Sequence, residues 1–390
     1  MLAVLSCNGG TLTTGGSAAT RLLAATLQGV QIFERPDTAT PWQKTGAALT
    51  ELHVSAILFE PASGLVFAGG HGKGGLWVSK DLGGTWARSD AGLESSHIYT
   101  IAAQPRPDGV RLFVGTEPVM LYHSDDLGQS WHALPNMLHV PNTEHWTFPP
   151  PPHWAHVKNV AFHPSLPDTL YVCIEQGALL KSEDAGQSWI ELDEYADENV
   201  DFFRNDNHRV VIKASDPAAL FMCGGEGLYS SQDAGATWKH LTTRDFDVGY
   251  PDAMFLDPRD DNALFMAGPR NPPRAWREQE KPMADPAILH SADNGRSWRK
   301  LDKGLPPKIV GNFEAMGLHY GGDTVSLYAG TATGEIYHSD DAGENWALLA
   351  DGLPPISKGG HYRWFMSDEQ RQQVEQHIVA AALGTDPISK

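Results

Sequence analysis

Six copies of one eight-residue turn, each flanked by short apolar strands, predict an all-β fold: a seven-bladed β-propeller followed by a short C-terminal helix. The turn reads Ser-x-Asp-x-Gly-x-Ser/Thr/Asn-Trp and begins at Ser79, Ser124, Ser182, Ser231, Ser291 and Ser339. Its closing tryptophans (Trp86, Trp131, Trp189, Trp238, Trp298, Trp346) lie 45, 58, 49, 60 and 48 residues apart, the length of a four-stranded blade. Each position has a physical task. The Asp is expected to accept hydrogen bonds from N–H groups two or three residues on, the Gly supplies a positive φ, and the Trp anchors the turn in the core between units. A degenerate seventh site falls at Trp42, where residues 30–33 read as a strand and Pro36, Asp37 and Pro41 follow.

Taken in order, the start (Met1, Leu2, Ala3, Val4, Leu5, Ser6, Cys7) has no basic segment, and its apolar run is too short for a secretion signal, so it reads as mature sequence. Blade one offers strands at 21–25 and 29–33 but no evident inner strand. Blade two supplies the full pattern: an inner strand at 54–59, a turn at 61–64, strands at 65–68 and 76–78, the repeated turn, and a last strand. The segment 361–365 is expected to close the ring beside the N-terminal strands, which removes an exposed edge. This gives a propeller over residues 1–366. Residues 367–390 form a helix and tail, opened by the capping box of Ser367 and Gln370 and carrying Val374, Ile378 and Ala381 on one stripe.

The repeated turn resembles the Asp-box of the sialidase/BNR-repeat β-propellers, over about residues 20–366. That resemblance implies the fold and says little of function, because the Asp-box in that family is structural and lies away from the active site. A true sialidase would carry a Phe/Tyr-Arg-Ile-Pro motif and an arginine triad. The stretch Phe33, Glu34, Arg35, Pro36 is a poor echo of the motif, so sialidase activity is not expected.

The net charge of −19 excludes nucleic acid and an anionic membrane as main partners. No run reaches transmembrane length. Cys7, Cys173 and Cys223 show no metal or disulfide spacing, which points to the cytoplasm, with export after removal of a signal as the alternative. Oligomeric state is not legible.

Strands alternate in direction, so the repeated turns share one face and the inner strands start on the other. The long insertions, at 135–155, 193–207 and 269–286, all fall on that second face. Aligning the inner strands on Ile57, Ile101, Val160, Ile212, Met254, Met316 and Phe365 and stepping back four residues gives His53, His97, His156, His208, Tyr250, Asn312 and His361. Five histidines at one position in consecutive blades, at the mouth of the channel, suggest a transition-metal centre (Fe, Cu, Ni or Zn) with ligands drawn from His53, His97, His156, His208 and His361. The competing reading is a histidine copied with the blade and bonded to a neighbouring backbone. Two residues further along each strand lie Ser55, Tyr99, Lys158, Val210, Asp252, Glu314 and Arg363. Glu314, Asp252 and Tyr250 are candidates for acid–base work, and Lys158 and Arg363 for holding an anionic group. His71, His139, His145 and His153 lie in loops of the same face, and Trp146, Phe148 and Trp154 are candidates for an aromatic lid.

These residues favour a metal-dependent enzyme acting on a small organic substrate by oxidation, lyase chemistry or hydrolysis. In arrangement alone the site is similar to the four-histidine Fe(II) propellers of the carotenoid-oxygenase family. A glycoside hydrolase similar to the Asp-box xyloglucanases, with Asp252 and Asp206 as the acid pair, is one alternative. A non-enzymatic scaffold similar to the photosystem-assembly propellers is another.

Overall fold

A computed structural model describes residues 1–149, 152–192, 206–243, 245–277 and 279–383. Among them are seven sheets arranged as blades, five wholly antiparallel and two with one parallel pair, with the apolar cores lying between successive sheets. The expected insertion at 193–207 lies outside the described residues except for Asp206 and Asn207.

All six repeated turns share one hydrogen-bond pattern. The Ser hydroxyl donates to the Asp carboxylate and accepts from the Gly N–H four residues on, at 2.8 to 2.9 Å. In all six the Asp Oδ1 accepts an N–H four residues on, Asp293 Oδ1 also takes the expected bond three residues on, and Oδ2 takes the side chain of the fourth residue. The longer reach follows from two successive left-handed residues, the Gly and the residue before it; at Leu82 and Gly83 φ is 57° and 94°. The degenerate site makes a shorter-range version of this turn: Asp37 Oδ1 accepts from Ala39 and Thr40 N–H, two and three residues on, and Trp42 is buried against Tyr328.

Ring closure differs from the expectation. Blade one is built from β1 (Leu2–Leu5), β3 (Arg21–Thr26), β4 (Gly29–Glu34) and β5 (Gln43–Ala48), with β1 pairing parallel to β3. The four residues of β1 are all buried, so the apolar start of the chain supplies the inner strand that seemed to be missing. The strand β2 (Leu12–Gly15) pairs parallel with the inner strand of blade seven, Phe313–Gly321. The segment His361–Trp364 is a 3₁₀ turn, not a strand, because β1 already fills the place it was assigned. Between β1 and β2, residues 6–11 cross the channel from blade two, where Asn8 N–H donates to Ser55, to blade seven, where Leu318 N–H donates to the Thr11 carbonyl. This crossing divides the channel into two compartments.

Beyond the ring, the insertion at 269–286 forms α1 (Pro273–Arg277), and α2 (Asp368–Leu383) opens with reciprocal bonds between Ser367 and Gln370. The α2 helix carries the expected capping box. No helix among the described residues is long and apolar enough to cross a membrane.

Candidate functional site

The compartment on the face away from the repeated turns holds a dense polar cluster. Inner strands His156–Phe162 and Asn207–Ile212 start there with His156 and His208, and His53, His97, Tyr250 and Asn312 sit one to three residues ahead of their strands. Four of the five histidines therefore lie at or beside inner-strand starts and His361 on a 3₁₀ turn, and they do not converge on one point. His53 Nε2–H donates to the Ser357 carbonyl at 2.7 Å, and His208 Nδ1–H to the Pro251 carbonyl at 2.6 Å. His71 and His97 share a 2.6 Å hydrogen bond, and His97 also faces Glu117. His156 lies between Glu117 at 3.1 Å and Glu175 at 2.9 Å, with Tyr99 stacked on its ring. His361 Nδ1 lies 3.1 Å from Glu314, reached from the 3₁₀ turn rather than from a strand. Backbone bonds at His53 and His208 are what a copied histidine would make, yet the other contacts are individual to each blade.

Of the other candidates, Lys158 and Asp252 meet, and Glu314 is linked to them through Lys358. Lys158 Nζ lies 3.0 Å from Glu175 and 3.3 Å from Asp252. Tyr250 donates to Asp206 Oδ2 at 3.0 Å. Arg363 does not join them: its place on the inner ring assumed a strand at 361–365, and on the 3₁₀ turn it is exposed beside Tyr362. His139 and His145 are exposed, and His153 bonds the Phe148 carbonyl, so none of the three reaches the cluster. Of the aromatic lid only Phe148 meets the cluster, edge-on to His156; Trp154 is exposed, Trp146 packs on the core beside blade four, and residues 150–151 lie outside the described residues.

Sequence reasoning missed Glu117, Glu175 and Lys358 as members of the site. The first two carried a signal. In an antiparallel pair the end of the second strand faces the start of the first, so Glu175 registers opposite His156, and Glu117 N–H bonds the His97 carbonyl. Lys358 carried none, because it comes from the irregular stretch before the 3₁₀ turn. Its Nζ lies 2.5 Å from Asp252 and 3.7 Å from Glu175, and its backbone N–H and the Ser357 hydroxyl bond Glu314.

Lys158, Lys358, Glu175, Asp206, Asp252 and Glu314 are each no more than 5% exposed. Burial pushes the Glu175 and Asp252 carboxyls up, but Lys158 and Lys358 hold both well below the usual carboxylate range. Burial opposes the charge on Lys358, and Asp252 and Glu175 keep it firmly protonated. Four carboxylates against two ammonium groups leave a formal charge of −2 in the buried cluster.

One corner stands out. Glu175, Asp206 and His208 each present a ligand atom, all within 4.8 Å of one another. His208 Nε2 lies 3.3 Å from Asp206 Oδ1 and 3.9 Å from Glu175 Oε1, and neither Nε2 nor Oδ1 has a hydrogen-bond partner. The outer atoms of the same groups are occupied: Nδ1 by Pro251, Oδ2 by Tyr250, and Glu175 Oε2 by His156 and Lys158. Partners of this kind fix ring tautomer and carboxylate orientation in metal sites. Burial lowers the His208 pKa and the Asp206 charge more than offsets it, so the net shift is upward: the corner favours a positive charge at Nε2.

No protein-family model matches the chain, and no curated protein matches it. Among solved structures, an ancestral GH74 enzyme superposes with a TM-score of 0.56 at 16% identity, covering 78% of this chain. The chain spans 41% of that enzyme's length. YCF48 bound to a D1 peptide superposes with a TM-score of 0.53 at 16% identity, covering 84% of this chain and 90% of its own. At these identities the likeness establishes the propeller fold and leaves the chemistry of the mouth to be argued from its own residues.

Proposed function

We propose that the protein is a metal-dependent enzyme whose centre is Glu175, Asp206 and His208, with the remaining histidines in supporting places. The observation that carries this is the convergence of Nε2, Oδ1 and Oε1 on one spot while every outer atom is tied to a neighbour. The formal −2 charge of the cluster matches one divalent cation. A donor set of one imidazole and two carboxylates without sulfur suits Mn, Fe or Zn over softer ions. Bound there, the ion would act as a Lewis acid toward a water or a substrate oxygen. Tyr250 and His208 hold their positions through Asp206 and Pro251, and Lys158 and Lys358 offer positive charge to an anionic group on a small substrate.

A glycosidase using Asp252 is disfavoured. Its acid would need a raised pKa, and Asp252 is held low between two lysines. A second reading, a non-enzymatic scaffold whose mouth is an ionic seal, draws support from Lys358 lying 3.7 Å from Glu175 Oε1, where its ammonium substitutes for a cation.

Elemental analysis after incubation with Mn²⁺, Fe²⁺ or Zn²⁺ separates the two. The enzyme reading expects about one equivalent in the parent protein and in His53→Gln, and its loss in folded Asp206→Asn and His208→Gln. No metal in any protein would leave the ionic seal standing.

A further inference from the structure

Below the crossing formed by residues 6–11, the channel opens on the face of the repeated turns as a cavity of about 250 Å³. Its floor is Gly9, Gly10 and Thr11, and its walls are apolar, with Ile101, Val160, Ile212, Met254 and Phe255 among them. One charge lines it: Arg209. This guanidinium lies over the Phe255 ring, 5.4 Å from its centroid, and makes no ion pair and no side-chain hydrogen bond among the described residues; its Nε is buried without a partner. The carboxylate acting on it most strongly, Asp252, is already held by Lys158 and Lys358 in the upper compartment. At the floor the Thr11 hydroxyl, 1% exposed, is also unpartnered. Asn159 gives its side-chain oxygen to Val210 N–H, which leaves its NH₂ as a donor in the same wall.

Arg209 is half-buried, with Nε sealed, and a cation beside apolar walls without a counter-charge is incompletely compensated. Unlike the upper cluster, where carboxylates and ammonium groups face one another, this compartment has a donor for an anion and no carboxylate to match it. The apolar walls exclude a strongly hydrated inorganic anion as the best occupant. A volume of about 250 Å³ is too small for a peptide of several residues. We propose that the lower compartment binds a short aliphatic carboxylate, roughly six carbons at ordinary packing density, its carboxylate on Arg209 and Thr11 and its tail along Val160, Ile212 and Met254.

Calorimetric titration with hexanoate, using hexanol as the uncharged control, tests this on the intact protein. The expected result is saturable binding of about one equivalent of hexanoate, with hexanol at least tenfold weaker. Arg209→Met, which removes an unpaired cation and is expected to fold, should lose the preference for hexanoate over hexanol. Ala161→Leu, which fills the cavity from the blade-four wall and keeps the arginine, should lose binding of both. No hexanoate binding by the parent protein, or equal binding by folded Arg209→Met, overturns the assignment.

Discussion

Burial holds the imidazole of His53 neutral down to a pKa of about 4, although the Ser357 carbonyl beside it favours the proton. His71, against His53 and His97, is lowered in the same direction by burial and then by those two rings. A lowered imidazole pKa means that the unfolded chain binds more protons between its ordinary value of 6.5 and about 4. Stability is therefore full above pH 6.5 and falls as the pH drops through that window. From pH 7 to pH 5 His53 alone accounts for about 2 kcal/mol. Urea denaturation at the two pH values should show at least that loss, and His53→Asn should reduce the loss by about the same amount. An unchanged pH dependence in the variant would mean that the ring is already charged when folded. The periodic histidines were legible in the sequence because one strand position recurs in every blade. Their cross-strand partners Glu117 and Glu175 become legible only when two strands are set in register, which no single strand displays.

At the level of the element, the repeated turn is stabilised by its serine as much as by its aspartate. Ser124 is fully buried, donating to Asp126 and accepting the Gly128 N–H at 2.9 Å. Ser124→Ala leaves that buried N–H unsatisfied and should cost about 1 to 3 kcal/mol in chemical denaturation. A loss below about 0.5 kcal/mol would mean that the aspartate sustains the turn without the serine. These turns were the most legible part of the chain, since the Ser and Asp side-chain bonds that they share run between residues at most four apart. The 3₁₀ turn His361–Trp364 was the least. Its aromatic residues read as strand, yet they pack on Trp276 of α1, with Trp364 and Phe365 both 6.0 Å from its ring, a partner nearly ninety residues away in sequence that local pattern cannot reveal.

For the whole molecule, the question is which end of the chain keeps seven blades in a ring. The strand β1 pairs with β3 and buries Leu5 beside blade seven, and the crossing at residues 6–11 joins blades two and seven. The helix α2 follows the ring without entering any sheet. Deleting residues 1–11 would leave blade one with an open inner edge and the channel without its partition, and free edges of this kind pair with other chains. That protein should elute as aggregates or oligomers, with a lowered or absent cooperative melt. Deleting residues 367–390 should leave the elution volume monomer-sized relative to the parent and the melting midpoint within a few degrees. The reverse outcome, a sound ring without its first eleven residues and a broken one without its last twenty-four, would return closure to the C-terminal end. Chain direction explains why sequence pattern favoured that end: the inner strands of the other blades run antiparallel to the strand that follows them in their blade, whereas β1 runs parallel to β3, so aligning it with the others finds no match.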